Sequence, residues 1–222
     1  MDRRVWQQLP NTLTVARLLL AAAFFGALNA YRFPDTNIAW GNVAIVFFIL
    51  AAITDALDGY LARRWHVEST FGRIMDPFCD KVLILGAFIY LAGPRFIVEE
   101  RIVEGDSVFV MATSVYPWMV VIILARELLV TGIRGLVEGE GMAFKTSWSG
   151  KAKMILQSII VPIVLCLVIN FNPAKYAWSD WICMVLVYLT VVVTVWSGIP
   201  YITGLPKLLK QKREAVEGSS QP

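Results

Sequence analysis

Six apolar stretches, each close to the length of a membrane-crossing helix, fill most of this chain: approximately 11–30, 38–63, 76–92, 107–137, 151–171 and 178–203. A spanning helix needs roughly 20 mainly apolar residues. Inside lipid its backbone N–H and C=O groups must bond within the protein. The pattern predicts an all-α integral membrane fold of six spans. Residues 1–9 set Val5, Trp6 and Leu9 beside Asp2, Arg3 and Arg4, which suits a short N-terminal interfacial helix. The six spans make one membrane-embedded domain over 1–206, followed by a polar tail over 207–222 that is expected to fray. Of 222 residues, 57% are hydrophobic, against about 45–50% in a soluble domain. Little chain is left for a separate soluble unit, so any chemistry must come from residues on or near the spans.

The first apolar run reads as a retained span rather than a cleaved signal, because Arg17 abuts it, Asn11 and Thr14 precede it, and further spans follow. Cys79, Cys166 and Cys183 form no CxxC, and His66 is the single histidine, which argues against a disulfide framework or a zinc site. Buried inert thiols are expected. An even number of spans puts both termini on one side. All but four of the 20 Lys and Arg fall on that side, the exceptions being Arg32, Arg95, Arg101 and Lys175. The positive-inside rule makes it the cytoplasmic side. The opposite connection, 93–106, is acidic and has no functional reading.

Four aspartates stand in or beside these spans: Asp55, Asp58, Asp76 and Asp80. A carboxylate in a span costs several kcal/mol unless it is paired or lines a polar cavity, and four together repel one another. At about 100° per residue, Asp55, Asp58, Gly59 and Ala62 share one helical face, and Asp76 and Asp80 lie one turn apart on the next helix. Gly59 and Ala62 are small where a ligand or a backbone must come close. Structural ion pairs with Arg63, Arg64, Arg73 and Lys81, or a transported cation, would also compensate the charge. Bound divalent cations do so most simply. Oxygen-only ligands favour Mg2+ or Mn2+, and a carboxylate-held metal pair suits phosphate displacement.

Together these residues fit D-x2-D-G-x2-A-R-x8-G-x3-D-x3-D at every fixed position from Asp55 to Asp80. In this the chain resembles the CDP-alcohol phosphotransferase family. The resemblance implies that Asp55, Asp58 and Asp76 hold two divalent metal ions and that Asp80 completes the site as general base. It implies that Gly59, Ala62, Arg63 and Gly72 line the CDP pocket. The opening from Pro10 to Arg17 resembles the family's entry to its first span, which adds Asn11 and Thr14 to the CDP side. A homodimer in a bacterial plasma membrane, with its site open to the cytoplasm and no nucleic-acid partner, is also implied.

Two further stretches bear on the acceptor alcohol: Ala125 to Arg134, reading ARELLVTGIR, and Ser147 to Gln157, reading SWSGKAKMILQ. They resemble family members that use sn-glycerol 3-phosphate, with Met154 where Thr is usual. The expected reaction joins CDP-diacylglycerol and glycerol 3-phosphate and releases CMP. Inositol phosphate and phosphatidylglycerol stay open as acceptors. The physical argument is separate. A phosphate dianion needs fixed positive charge near the metals. Arg126 and Arg134, about 80° apart on one helix, and Lys151 and Lys153 on the next are placed on the aspartates' side. Glu127 is expected as an arginine partner.

Overall fold

The computed structural model describes the backbone over residues 3–34, 37–65, 70–98, 110–140, 148–173 and 175–219. Side chains are described over 12–34, 37–57, 81–98, 110–140, 148–173 and 175–206, with Met75, Phe78 and Cys79. Among the described residues the fold is helical. Its long helices are α1 (Arg3–Ala30), α2 (Ile38–Trp65), α3 (Thr70–Leu91), α4 (Pro117–Gly139), α5 (Trp148–Asn170) and α6 (Ala177–Ser219). Four segments are long and apolar enough to cross a membrane: Thr12–Ala30, Ile38–Leu57, Trp148–Asn170 and Ala177–Pro206. The chain is a multi-pass membrane protein. The other two helices, α3 and α4, carry the charges singled out above, among them Asp76, Asp80, Lys81, Arg126, Glu127 and Arg134.

The helices pack in a closed ring in the order α1, α2, α5, α6, α4, α3 and back to α1. Phe24 of α1 meets Phe48 of α2 edge-on at 5.4 Å, and Phe25 meets Tyr90 of α3 at 5.2 Å. Gly86 lets α3 close on α1, since a Cβ there would run into the Phe25 ring. On the other side of the ring, Ile160, Val161, Val164, Leu165 and Val168 of α5 complete the buried core.

Several boundaries differ from those read in the sequence. No separate interfacial helix stands before the first span: residues 3–10 run unbroken into α1. The third helix starts at Thr70 rather than near Asp76. Pro77 therefore lies in its third turn, not at its start. The fourth begins at Pro117, ten residues later than expected. Residues 110–112 instead pair with the 96–98 segment, with Val98 N–H donating to Val110 O at 2.9 Å and Ala112 N–H to Phe96 O at 2.8 Å. Ser114 turns there with φ 55°, and the Thr113 hydroxyl donates to Leu91 O at the end of α3 at 2.7 Å. Apolar residues such as Met111 and Val115 read as span but are buried in this cap. The 93–106 connection is described only as far as Val98. At the other end the backbone stays helical through Ser219, where fraying was expected. Leu, Lys, Gln, Arg, Glu and Ala dominate residues 207–216, and all favour helix. Cys79 and Cys183 are buried as expected, but Cys166 is exposed on the flank of α5.

Candidate active site

The motif occupies the last turns of α2 and the first turns of α3, at one end of the bundle. Asp55, Asp58, Gly59, Ala62 and Arg63 share one unbroken helix, and Gly72, Asp76 and Asp80 share the next. The side chains of Asn11, Asp58, Gly59, Ala62, Arg63, Gly72, Asp76 and Asp80 lie outside the described residues. Asp55 is described. Its Oδ1 lies 2.6 Å from Arg17 Nη1 in an ion pair, with the arginine side chain 1% exposed and the Asp55 side chain 35% exposed. A cation buried in a span needs a counter-charge close by, and Asp55 supplies it across the α1–α2 contact. Thr14, one turn before Arg17, is buried in the same contact.

A second charged cluster joins α4, α5 and α6 at the same end. Glu127 Oε1 accepts Arg126 Nη1 at 2.9 Å and also pairs with Lys153 Nζ, from the first turns of α5. Arg126 Nη2 donates to Ser197 O of α6 at 3.2 Å, and Arg134 Nη2 donates to the Tyr201 hydroxyl at 3.1 Å. One turn deeper on α5, Gln157 Nε2 donates to Thr194 Oγ1 at 3.2 Å, so the polar strip continues into the bundle. Lys153 and Gln157 are buried; Lys151 is exposed and makes none of these contacts among the described residues.

α3 is tied to this cluster directly. Lys81, the residue after Asp80, donates from Nζ to Thr131 Oγ1 at 2.6 Å. Thr131 in turn donates to the Glu127 carbonyl at 2.7 Å. The helix that carries the last aspartate is thus bonded to the helix that carries Arg126 and Arg134.

The family model for CDP-alcohol phosphatidyltransferase matches residues 7–196, which takes in both halves of the charged end except Ser197 and Tyr201. The chain belongs to that family. It is an enzyme of CDP-alcohol chemistry. It is similar to the CDP-diacylglycerol–glycerol-3-phosphate 3-phosphatidyltransferase of Bacillus subtilis, with 31% identity over 202 residues, 88% of this chain and 93% of that protein. Proteins of the same name from Mycoplasma genitalium and Haemophilus influenzae are 29% and 27% identical over 92% and 87% of this chain, and over 86% and 91% of their own lengths.

Family members are divalent-metal enzymes, and the donor chemistry here agrees. Asp55 is a partly open carboxylate on α2, and the one thiol inside the motif, Cys79, is buried in the core. Hard oxygen donors fit Mg2+ or Mn2+. The expected pairing of Glu127 with an arginine holds, and Lys153 shares it. Of the four cations read as a phosphate site, Arg126 and Lys153 meet on Glu127 and Arg134 joins them through Tyr201, while Lys151 does not join them among the described residues. Sequence reasoning did not assign a role to Arg17 or to Tyr201. An arginine next to an apolar run is a signal that could have marked Arg17. Tyr201 sits in an apolar run with no charged neighbour, and nothing in its spacing marks it.

Proposed function

We propose that this enzyme transfers the phosphatidyl group of CDP-diacylglycerol to the 1-hydroxyl of sn-glycerol 3-phosphate, giving phosphatidylglycerophosphate and CMP. The observation that carries the acceptor is the cluster at the motif end of the bundle. Arg126 and Lys153 share one carboxylate, Glu127, and Arg134 joins them through Tyr201, so the cluster is cationic among the described residues, as a phosphate dianion requires. Arginine grips a phosphate through paired N–H donors, which favours Arg134 and Arg126 for contact. Lys153 is engaged with Glu127 and sets the charge balance. Lys151 is the outermost cation of the four.

In this reading Asp55, Asp58, Asp76 and Asp80 hold two Mg2+ or Mn2+ ions, which would stabilise negative charge on the transferred phosphate and the leaving group. Asp80 accepts the proton of the 1-hydroxyl. The hydroxyl oxygen then bonds to the phosphorus that carries diacylglycerol, and the bond from that phosphorus to the CMP oxygen breaks. Gly59, Ala62, Arg63, Gly72, Asn11 and Thr14 receive the CDP group. Arg17 holds the Asp55 carboxylate in place.

All six long helices span the membrane in this proposal, with residues 1–206 as the catalytic domain. Both termini and the site face the cytoplasm of a bacterial inner membrane, and the enzyme works as a homodimer. The acceptor is tested by CMP release from purified protein with CDP-diacylglycerol, Mg2+ or Mn2+, and each acceptor in turn. Release that depends on glycerol 3-phosphate supports the reading. Release with inositol phosphate or phosphatidylglycerol instead keeps the chemistry and overturns the acceptor.

A further inference from the structure

Two turns of α6 close the cationic cluster, and both reach it from residues beyond the family match. Ser197 and Tyr201 are four residues apart, so they lie on one helical face. Ser197 offers its carbonyl to Arg126, as described above. Tyr201 is 1% exposed, a large aromatic side chain enclosed at the charged end of the bundle.

Its ring is shared by both arginines. Arg126 Cζ lies 5.9 Å from the ring centroid and Arg134 Cζ lies 5.8 Å from it. The same residue takes a hydrogen bond from Arg134 on its hydroxyl. The Nε–H groups of Arg126 and Arg134 are buried and have no hydrogen-bond acceptor among the described residues. A buried donor with no acceptor is unfavourable. An aromatic face attracts a guanidinium through its quadrupole, more strongly where water is excluded. Glu127 carries a single negative charge and already pairs with Arg126 and Lys153, so it cannot also neutralise Arg134. The Tyr201 ring and hydroxyl are therefore what holds Arg134 toward Arg126 against their mutual repulsion.

We propose that Tyr201 is a positioning residue that sets Arg126 and Arg134 at a fixed separation for the phosphate of the acceptor. The inference rests on the acceptor reading above. It assigns Tyr201 no contact with the reacting atoms, so its effect belongs to acceptor binding and not to the chemical step.

The test measures initial rates of CMP release for wild type, Tyr201→Phe and Tyr201→Leu, with glycerol 3-phosphate and CDP-diacylglycerol varied separately. Arg134→Gln is the control, and melting temperature confirms that each variant is folded. Tyr201→Phe keeps the ring and loses the hydrogen bond, so KM for glycerol 3-phosphate should rise about threefold to tenfold. Tyr201→Leu loses both and should raise it further. KM for CDP-diacylglycerol and kcat should stay within about twofold, on the same grounds. Competitive inhibition by inorganic phosphate should weaken in parallel with KM for the acceptor. If Arg134→Gln raises that KM and both Tyr201 variants leave it unchanged, the positioning role is overturned and the acceptor reading stands. If Tyr201→Phe raises both KM values alike, the residue is only structural and the inference is overturned. If Arg134→Gln itself leaves KM for glycerol 3-phosphate unchanged, the acceptor site is misplaced and both readings fall. Should Tyr201→Leu not fold, Tyr201→Phe alone decides.

Discussion

Arg17 of the first helix and Asp55 of the second are joined at 2.6 Å, with the arginine wholly enclosed and the aspartate open on one side. The pair is unequal, and its two halves should respond differently to mutation. Asp55→Asn leaves an enclosed guanidinium facing a neutral partner, and breaking a buried pair in this way costs about 3–5 kcal/mol. Arg17→Met leaves a carboxylate that reaches the surface, which should cost about 1–2 kcal/mol by the same argument once solvent is allowed for. Melting in detergent should therefore show the larger drop for Asp55→Asn. A larger drop for Arg17→Met would mean that Asp55 is not the main counter-charge of Arg17.

Glu127 stands between two cations, so neutralising it should disturb both. Glu127→Gln would remove the carboxylate that Arg126 and Lys153 share. We expect kcat/KM for the acceptor to fall about tenfold or more, as for loss of an interaction with a charged group. Combining Glu127→Gln with Lys153→Met should recover part of the lost melting temperature. Strict additivity in that double-mutant cycle would show that the two side chains are not coupled.

Lys81 and Thr131 are the bolt between the helix of Asp80 and the helix of the arginines. Thr131→Val removes the hydroxyl at nearly constant volume. One hydrogen bond is worth about 0.5–1.5 kcal/mol, so the melting temperature should fall modestly. If the bolt sets the spacing of base and acceptor, kcat should fall several-fold, about as misplacement lowers rates elsewhere. Unchanged kcat with a lower melting temperature would make the link structural only.

The proposed base has its own signature. Asp80→Asn should abolish CMP release while binding of CDP-diacylglycerol persists, and chelation of divalent ions should abolish release in the wild type. Near-normal turnover by Asp80→Asn would remove Asp80 from the proton transfer.

Topology can be read with reporters. Fusions active only in the cytoplasm should work at both ends of the chain, because an even number of spans returns the chain to its starting side. Activity at one end alone would require an odd number of crossings.

The helical order was readable because the apolar stretches are long and because lipid forces helical backbone on them. The charged end was readable from Asp55, Asp58, Asp76 and Asp80, whose spacing brings them to one end of α2 and α3. Arg126, Glu127, Arg134 and Lys153 were readable as charges that membrane helices tolerate only for a reason. What the residues did not disclose was the reach of neighbouring elements. Met111 and Val115 are as apolar as a span, and only the pairing of 110–112 with the 96–98 segment and the turn at Thr113 and Ser114 take them out of the fourth helix. Tyr201 depends on how closely α6 comes to α4, a tertiary fact that no local pattern carries. Arg17 needed its partner on another helix before its burial made sense.

Asn42 and Asn170 exchange hydrogen bonds through their side-chain amides, 3.2 Å in one direction and 3.0 Å in the other. They sit at the start of α2 and the end of α5, on the far side of the bundle from Asp55 and Lys153. Asp55 is 13 residues along α2 from that clasp, or about 20 Å of helix. In mechanical terms the clasp is a rivet: it fixes the register of α2 against α5 at the end of the bundle opposite the charged cluster.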